Sequence, residues 1–210
     1  MSSSNGQLVF DAETHTYRVA GRVLPSVTRI LNEVIPRQFH PGAFYLGRGS
    51  ALHAAISLYA SGRLDFESVD PRYLPRLEAF QKFERETGYR VTCSEMQMAS
   101  LRLGVAGTAD AILENPNERR PQLQIALTDF KSSLEPTVVL QIAGYSLLLK
   151  DNNRPAPETG LGLELREDGN YFCRWIPKRE LLNSENVFKH LCGVYHFKAA
   201  NGLLSKSAAI

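Results

Sequence analysis

Two aspartates and a lysine are placed where they could support metal-assisted chemistry. Asp129 and Lys131 are two positions apart in the largely apolar segment LTDFK, so on a strand their side chains point to the same face. Asp110 occupies the matching place on the preceding predicted strand, also after apolar or small residues. If these two strands pair, two carboxylates and an ammonium group converge.

The chemistry that such a group could perform is phosphodiester hydrolysis. Carboxylates suit a hard cation such as Mg²⁺ or Mn²⁺. The cation neutralises a phosphodiester and lowers the pKa of a bound water, and a nearby lysine can orient that water and stabilise charge on the phosphate. Charged groups are costly on a buried strand unless they serve a purpose. An isolated D-x-K is common, however, and on a solvated strand these residues would be ordinary surface charges.

The elements that must position these residues follow from the hydrophobic periodicity. Strands are predicted over 89–98, 105–113 and 123–130, and an N-terminal hairpin over 9–24. Helices are predicted over 26–34, 50–59 and 72–87, with residues 47–49 loosening the chain before the second of them. A helix from Pro136 to about Leu149, a hairpin around Asp168-Gly169 and a helix over 179–199 follow. This order predicts an α/β fold with a mixed central β-sheet flanked by helices.

Length and composition indicate a single domain. The chain has 210 residues, 43% of them hydrophobic, which suffices for one core; we predict a domain over 8–205 after a disordered segment 1–7. The net charge of +2 does not by itself indicate a nucleic-acid partner. Cys93, Cys173 and Cys192 lack C-x-x-C pairing, which argues against structural zinc or a disulfide framework. Without an apolar run or a signal sequence, we expect a cytoplasmic location and no membrane partner.

Further positions extend the pattern over most of the chain. In chain order they are His53, Glu95, Gly107, Asp110, Asp129, Lys131, Gln141 and Tyr145. This order resembles the PD-(D/E)XK nuclease superfamily, and within it the RecB-type branch that includes phage exonucleases. The early segment from His15 and Tyr17 to Thr28 is also similar to phage-type members. Three scattered cysteines cannot hold the four-cysteine iron–sulfur cluster that some members of this branch carry.

The resemblance implies a set of metal ligands and catalytic residues. Asp110, Asp129 and the main-chain carbonyl of Phe130 would bind Mg²⁺ or Mn²⁺. Lys131 would position the attacking water.

Two residues upstream would complete this site. His53 would be a further metal ligand through a neutral imidazole nitrogen; the alternative is a partly buried helix histidine bonded to the backbone. Glu95 would act with the catalytic residues, either completing the metal shell or binding a second ion. Its alternative is a surface charge at a strand edge.

Three residues are candidates for contact with DNA. Gln141 and Tyr145 are four positions apart on a predicted helix and so share a face, which the resemblance turns towards the site. Gln141 would contact Lys131 or the DNA, and Tyr145 would lie near the phosphate backbone. The alternative is a helix surface with a snorkelling tyrosine. Arg48, just before the helix that carries His53, is a candidate phosphate contact.

The function that the resemblance implies is that of a metal-dependent deoxyribonuclease with a restriction-endonuclease-like core. An exonuclease acting on DNA ends is expected, in phage or mobile-element recombination, repair or end processing. An endonuclease on the same fold and a catalytically inert DNA-binding subunit are the alternatives. Because the sequence has no helicase motif or P-loop, any motor is a separate chain. Expected protein partners are a recombinase, an annealing protein or a helicase.

Overall fold

The N-terminal part of the chain forms a small sheet of its own. The computed structural model describes residues 7–35 and 43–205, and of residues 43–50 the backbone alone. Strands β1 (Leu8–Asp11), β2 (Thr16–Val19) and β3 (Arg22–Leu24) pair antiparallel in that order. Ala20 and Gly21 have φ values of 48° and 78°, as a two-residue hairpin turn requires. The N-terminal hairpin predicted over 9–24 therefore turns at this dipeptide.

A mixed sheet of five strands forms the centre of the molecule. Its strands are β4 (Arg90–Ser100), β5 (Val105–Glu114), β6 (Ile125–Lys131), β7 (Thr159–Leu165) and β8 (Tyr171–Ile176), adjacent in this order. Neighbouring strands are antiparallel except β6 and β7, which are parallel. A parallel pair needs a long crossover connection, and here the fourth helix supplies it.

Helices cover both faces of this sheet. They are α1 (Val27–Val34), α2 (Ala43–Ala60), α3 (Leu74–Thr87), α4 (Val138–Asp151) and α5 (Lys178–Ala200). Leu127 of β6 belongs to one core cluster with residues of α1, α4 and α5, while its neighbour Ala126 and Phe130 belong to another with residues of α2 and α3. A strand buried on both faces alternates in this way. The predicted α/β fold, a mixed sheet flanked by helices, is confirmed.

Several helix ends follow local chemistry that the sequence displays. The Ser26 hydroxyl accepts a hydrogen bond from the backbone N–H of Arg29 at 3.0 Å, which caps α1 at the first residue of the predicted helix. Gly88 ends α3 with a φ of 80°, the left-handed conformation that glycine adopts without strain. None of the helices within the described ranges has the length and hydropathy needed to cross a membrane.

The predicted start of α2 was wrong, and α3 and α4 each begin two residues later than predicted. Helix α2 begins at Ala43 rather than near residue 50, so residues 47–49 continue the helix instead of loosening the chain. Glycine lowers helix propensity by about 1 kcal/mol and does not forbid the conformation. Helix α4 begins at Val138, because Pro136 and Thr137 form a turn that is closed by a hydrogen bond from the Val138 N–H to the Glu135 carbonyl. The side chain of Arg48 lies outside the described residues.

Candidate metal centre

Strands β5 and β6 separate at the two aspartates. Their ladder ends at the pair Ala111 and Thr128, and the next opposed residues are Asp110 and Asp129. Here Asp110 Oδ2 accepts a hydrogen bond from the main-chain N–H of Phe130 at 2.8 Å. A side chain thus replaces the next contact between the strands. The two predicted strands do pair, and their pairing brings the two aspartates to the same end of the ladder.

The pairing of β4 with β5 is interrupted at the same level. Glu95 lies opposite Asp110, and the ladder pairs on either side skip both residues. Glu95 has a φ of 50°, which is uncommon for a residue other than glycine. Residues three positions apart on a regular strand face opposite sides of the sheet. In β5, however, Ala109 and Ile112 both pack into the cluster on the α4 side, so the alternation is broken between them. Such irregularities redirect side chains and occur often beside active sites.

His53 of α2 completes a cluster of three potential ligands with Glu95 and Asp110. One ligand atom from each residue lies within 4.8 Å of the other two. His53 Nε2 is 3.2 Å from the carbonyl oxygen of Phe130, and because a carbonyl only accepts, this hydrogen bond assigns a proton to Nε2. In the neutral imidazole, Nδ1 then presents a lone pair to Asp110 Oδ1, 3.4 Å away.

The donor set of this cluster fits a divalent cation. Two electron-rich atoms that face each other repel unless a proton or a cation lies between them. Glu95 is exposed as a residue, yet loss of hydration at its carboxyl group, reinforced by the charge of Asp110 and opposed by His53, raises its pKa. Two carboxylates and an imidazole nitrogen are ligands that Mn²⁺ and related ions accept. The cluster could therefore hold a metal ion.

Asp129 and Lys131 form an ion pair next to this cluster. Asp129 is completely buried, whereas the Lys131 side chain is 30% exposed, and Nζ lies 2.9 Å from Asp129 Oδ2. At this distance the ammonium group can also donate a hydrogen bond to the carboxylate oxygen. Burial raises the pKa of Asp129 to about 6, with Lys131 opposing this rise and Asp110 reinforcing it. Lys131 is the member of the pair that reaches solvent.

Gln141 and Tyr145 of α4 hold Asp129 from the other side. Gln141 Nε2 donates to Asp129 Oδ1 at 2.7 Å and to the Tyr145 hydroxyl at 3.1 Å. The two residues share a helix face, as predicted, and that face meets the site. They are only 8% and 5% exposed, and burial raises the pKa of Tyr145 well above its usual value. Their contact with DNA stays a prediction; what the geometry shows is support of Asp129.

This support should be visible in the free energy of unfolding. We expect Gln141→Leu to lower it by about 1–3 kcal/mol, because a buried carboxylate and a buried phenol lose their shared donor. Tyr145→Phe, which leaves the bond to Asp129 in place, should have a smaller effect. Urea denaturation measures both. Gln97→Leu, at an exposed position of β4, is the control and should change stability by less than about 0.5 kcal/mol.

A further pair of hydroxyl groups, partly buried, lies near the site and was not predicted from the sequence. The Tyr17 hydroxyl is 2.8 Å from Thr108 Oγ1, and Thr108 is two positions before Asp110. Burial raises the pKa of Tyr17, and the charges of Glu95 and Asp110 add to this effect. The alternation of Tyr17 with Val19 predicts an inward side chain, but no sequence signal names a partner 91 positions away.

Comparisons with known proteins give only distant likenesses. No protein-family model matches the chain, and no curated protein matches it. The structure of LHK-Exo in complex with dAMP has 13% sequence identity over 85% of this chain and 93% of that chain, with a TM-score of 0.38. The alkaline exonuclease LHK-Exo from Laribacter hongkongensis has 14% identity over 84% and 93%, with a TM-score of 0.37. Similarity at this level does not establish a function, so the function is inferred from the geometry of the site.

Proposed function

We propose that this protein is a metal-dependent deoxyribonuclease of the PD-(D/E)XK type. One observation carries the proposal: the ligand cluster of His53, Glu95 and Asp110 lies beside the buried ion pair of Asp129 and Lys131, where the ladder of β5 with β6 ends and its ladder with β4 skips one pair. Buried charges and interrupted ladders are costly to a fold. Their concentration at one place is expected of a functional site.

The ligands for the ion come from three strands and a helix. His53, Glu95 and Asp110 form the cluster described above, and we assign Asp129 and the Phe130 carbonyl to the same shell. That carbonyl accepts from His53 Nε2, and because the two imidazole nitrogens point in nearly opposite directions, it would join the shell only after the imidazole turns and releases it. A bound Mg²⁺ or Mn²⁺ supplies Lewis-acid chemistry, neutralising the phosphate and lowering the pKa of water.

Lys131 and Gln141 have two further roles in the proposed site. The Lys131 ammonium group lies on the solvent side of Asp129, where it can donate hydrogen bonds to the attacking water and to the phosphate oxygens on which charge develops. Gln141 fixes the carboxylate of Asp129 from behind, so Lys131 and Asp129 keep their relative positions while substrate binds. Positioning of this kind is a large part of catalysis.

The order of the motifs, which resembles phage-type exonucleases, supports action on DNA ends. We therefore propose an exonuclease that serves recombination, repair or end processing in a phage or mobile element. A separate recombinase, annealing protein or helicase would then supply or use the processed end.

Digestion of DNA in the presence of a metal ion tests this function. With Mn²⁺ or Mg²⁺, the protein is expected to release nucleotides from end-labelled linear DNA and to leave covalently closed circular DNA intact. A chelator should stop the reaction, because carboxylates alone do not activate water at a phosphodiester. Single- and double-stranded substrates labelled at either end report polarity in the same experiment.

The other outcomes identify the alternatives. Cleavage of the circular DNA would show an endonuclease on the same fold. Retention of DNA without cleavage, under every metal tested, would show a catalytically inert binding subunit and would contradict the proposal.

A further inference from the structure

The N-terminal sheet holds β5 immediately ahead of Asp110. The backbone N–H of Ala106 donates to the Pro25 carbonyl at 3.0 Å, and the Thr108 hydroxyl bonds to that of Tyr17 at 2.8 Å. Ala106 also packs in one apolar cluster with Tyr17 and residues of the small sheet. Two positions of β5, 106 and 108, are thus fixed by residues 17–25.

The N-terminal sheet contacts β5 in the segment that has the fewest hydrogen bonds to other strands of the central sheet. The ladder with β6 ends at Ala111, and the ladder with β4 skips Glu95 and Asp110. Residues 111–114 of β5 lie between β4 and β6, whereas residues 105–109 pair with β4 alone and contact the N-terminal sheet on the other side. Asp110 lies between these two segments. Its own bond to the Phe130 N–H fixes one carboxylate oxygen. The position of the second carboxylate oxygen, Oδ1, depends on how β5 places the Asp110 backbone.

The hydroxyl of Tyr17, rather than its ring, is the informative part. Tyr17 is 1% exposed, and its ring stacks on Phe10 at a centroid distance of 4.6 Å. A phenylalanine would make the same ring contacts. Burying a hydroxyl is costly unless it finds a partner, and the partner it finds is the residue of β5 two positions from Asp110.

We propose that Tyr17 is a positioning residue for the cation site, acting through Thr108 to fix β5 where it presents Asp110 to His53 and Glu95. The inference rests on the proposed function, because it assigns a role towards the ion bound there. It gives the small sheet a role in the site as well as in the fold. Groups that orient metal ligands affect affinity although they do not touch the metal.

Calorimetric titration with Mn²⁺ in the absence of DNA tests the inference independently of catalysis. We expect Tyr17→Phe and Thr108→Val each to weaken Mn²⁺ binding by roughly 10-fold. The double variant should be no weaker than either single variant, because all three lose the same hydrogen bond. Tyr171→Phe is the matched control: it also removes one bonded hydroxyl, to Glu86, and should leave the Kd within about twofold of the wild type.

The outcomes separate this inference from the proposed function. If the wild-type protein binds Mn²⁺ and cleaves DNA, while both folded single variants retain its Kd within about twofold, the positioning role is wrong and the proposed function stands. Additive losses in the double variant would also contradict action through one bond. A wild-type chain that binds no Mn²⁺ would overturn both proposals. Should Tyr17→Phe not fold, Thr108→Val, a substitution of nearly equal shape on a strand, decides the question alone.

Discussion

Replacing Asp110 with asparagine is expected to abolish measurable Mn²⁺ binding and to slow DNA cleavage by roughly 10³-fold or more. Asp110 belongs to both halves of the site: one oxygen faces His53 Nδ1 at 3.4 Å, and the other accepts from the Phe130 N–H at 2.8 Å. Asparagine keeps an oxygen for Phe130 and removes the negative charge that a cation needs. The strands should therefore stay joined while the ligand is lost.

The measurement combines calorimetry with release of label from linear DNA, and urea denaturation confirms that the variant folds. Asp168→Asn is the matched control, since Asp168 lies in the exposed turn between β7 and β8 and accepts from the Asn170 N–H. Its Mn²⁺ affinity and cleavage rate should equal those of the wild type. An Asp110→Asn protein that still binds Mn²⁺ with wild-type affinity would remove Asp110 from the ligand set.

Periodicity was sufficient to predict most of the fold. The alternation of β2, the apolar runs of β5 and β6, and the stripe of α3 each specify an element and the side that it buries. The place of Asp110 and Asp129 could be predicted because each follows an apolar strand segment, and the antiparallel pairing of those strands aligns them. Helix starts were less predictable, since the two glycines within α2 lower its propensity without ending it.

The details of the site depend on contacts that no local pattern encodes. The positive φ of Glu95 has no sequence signal, because glutamate has no preference for that conformation. Helical spacing indicated the shared face of Gln141 and Tyr145 but not how deeply α4 lies. That depth depends on one glycine in α4 and one in β5: a Cβ at Gly144 would come within 2.8 Å of Val27, and one at Gly107 within 3.0 Å of Tyr145. Gln141 consequently reaches Asp129 itself.

Lys131→Met is expected to separate catalysis from metal binding. Methionine keeps the length and apolar stem of the side chain and removes the ammonium group that would stabilise charge on the phosphate. We expect cleavage to fall by roughly 10²- to 10³-fold. The Kd for Mn²⁺ should change by less than about 10-fold, because the cluster of His53, Glu95 and Asp110 is intact. A cleavage rate within about tenfold of the wild type would show that Lys131 has no part in the chemical step.

The same substitution should also destabilise the fold, and a second substitution should reverse only that effect. Without Lys131, the buried Asp129 loses its cation, at an expected cost of about 1–3 kcal/mol, below the cost of breaking a fully buried pair because Lys131 is partly exposed. Lys178→Met, which breaks the exposed pair with Glu158, should cost less than about 1 kcal/mol. Adding Asp129→Asn to Lys131→Met removes the uncompensated charge, so urea denaturation should show recovered stability while DNA cleavage stays lost. Recovery of both would mean that the ion pair serves the fold alone.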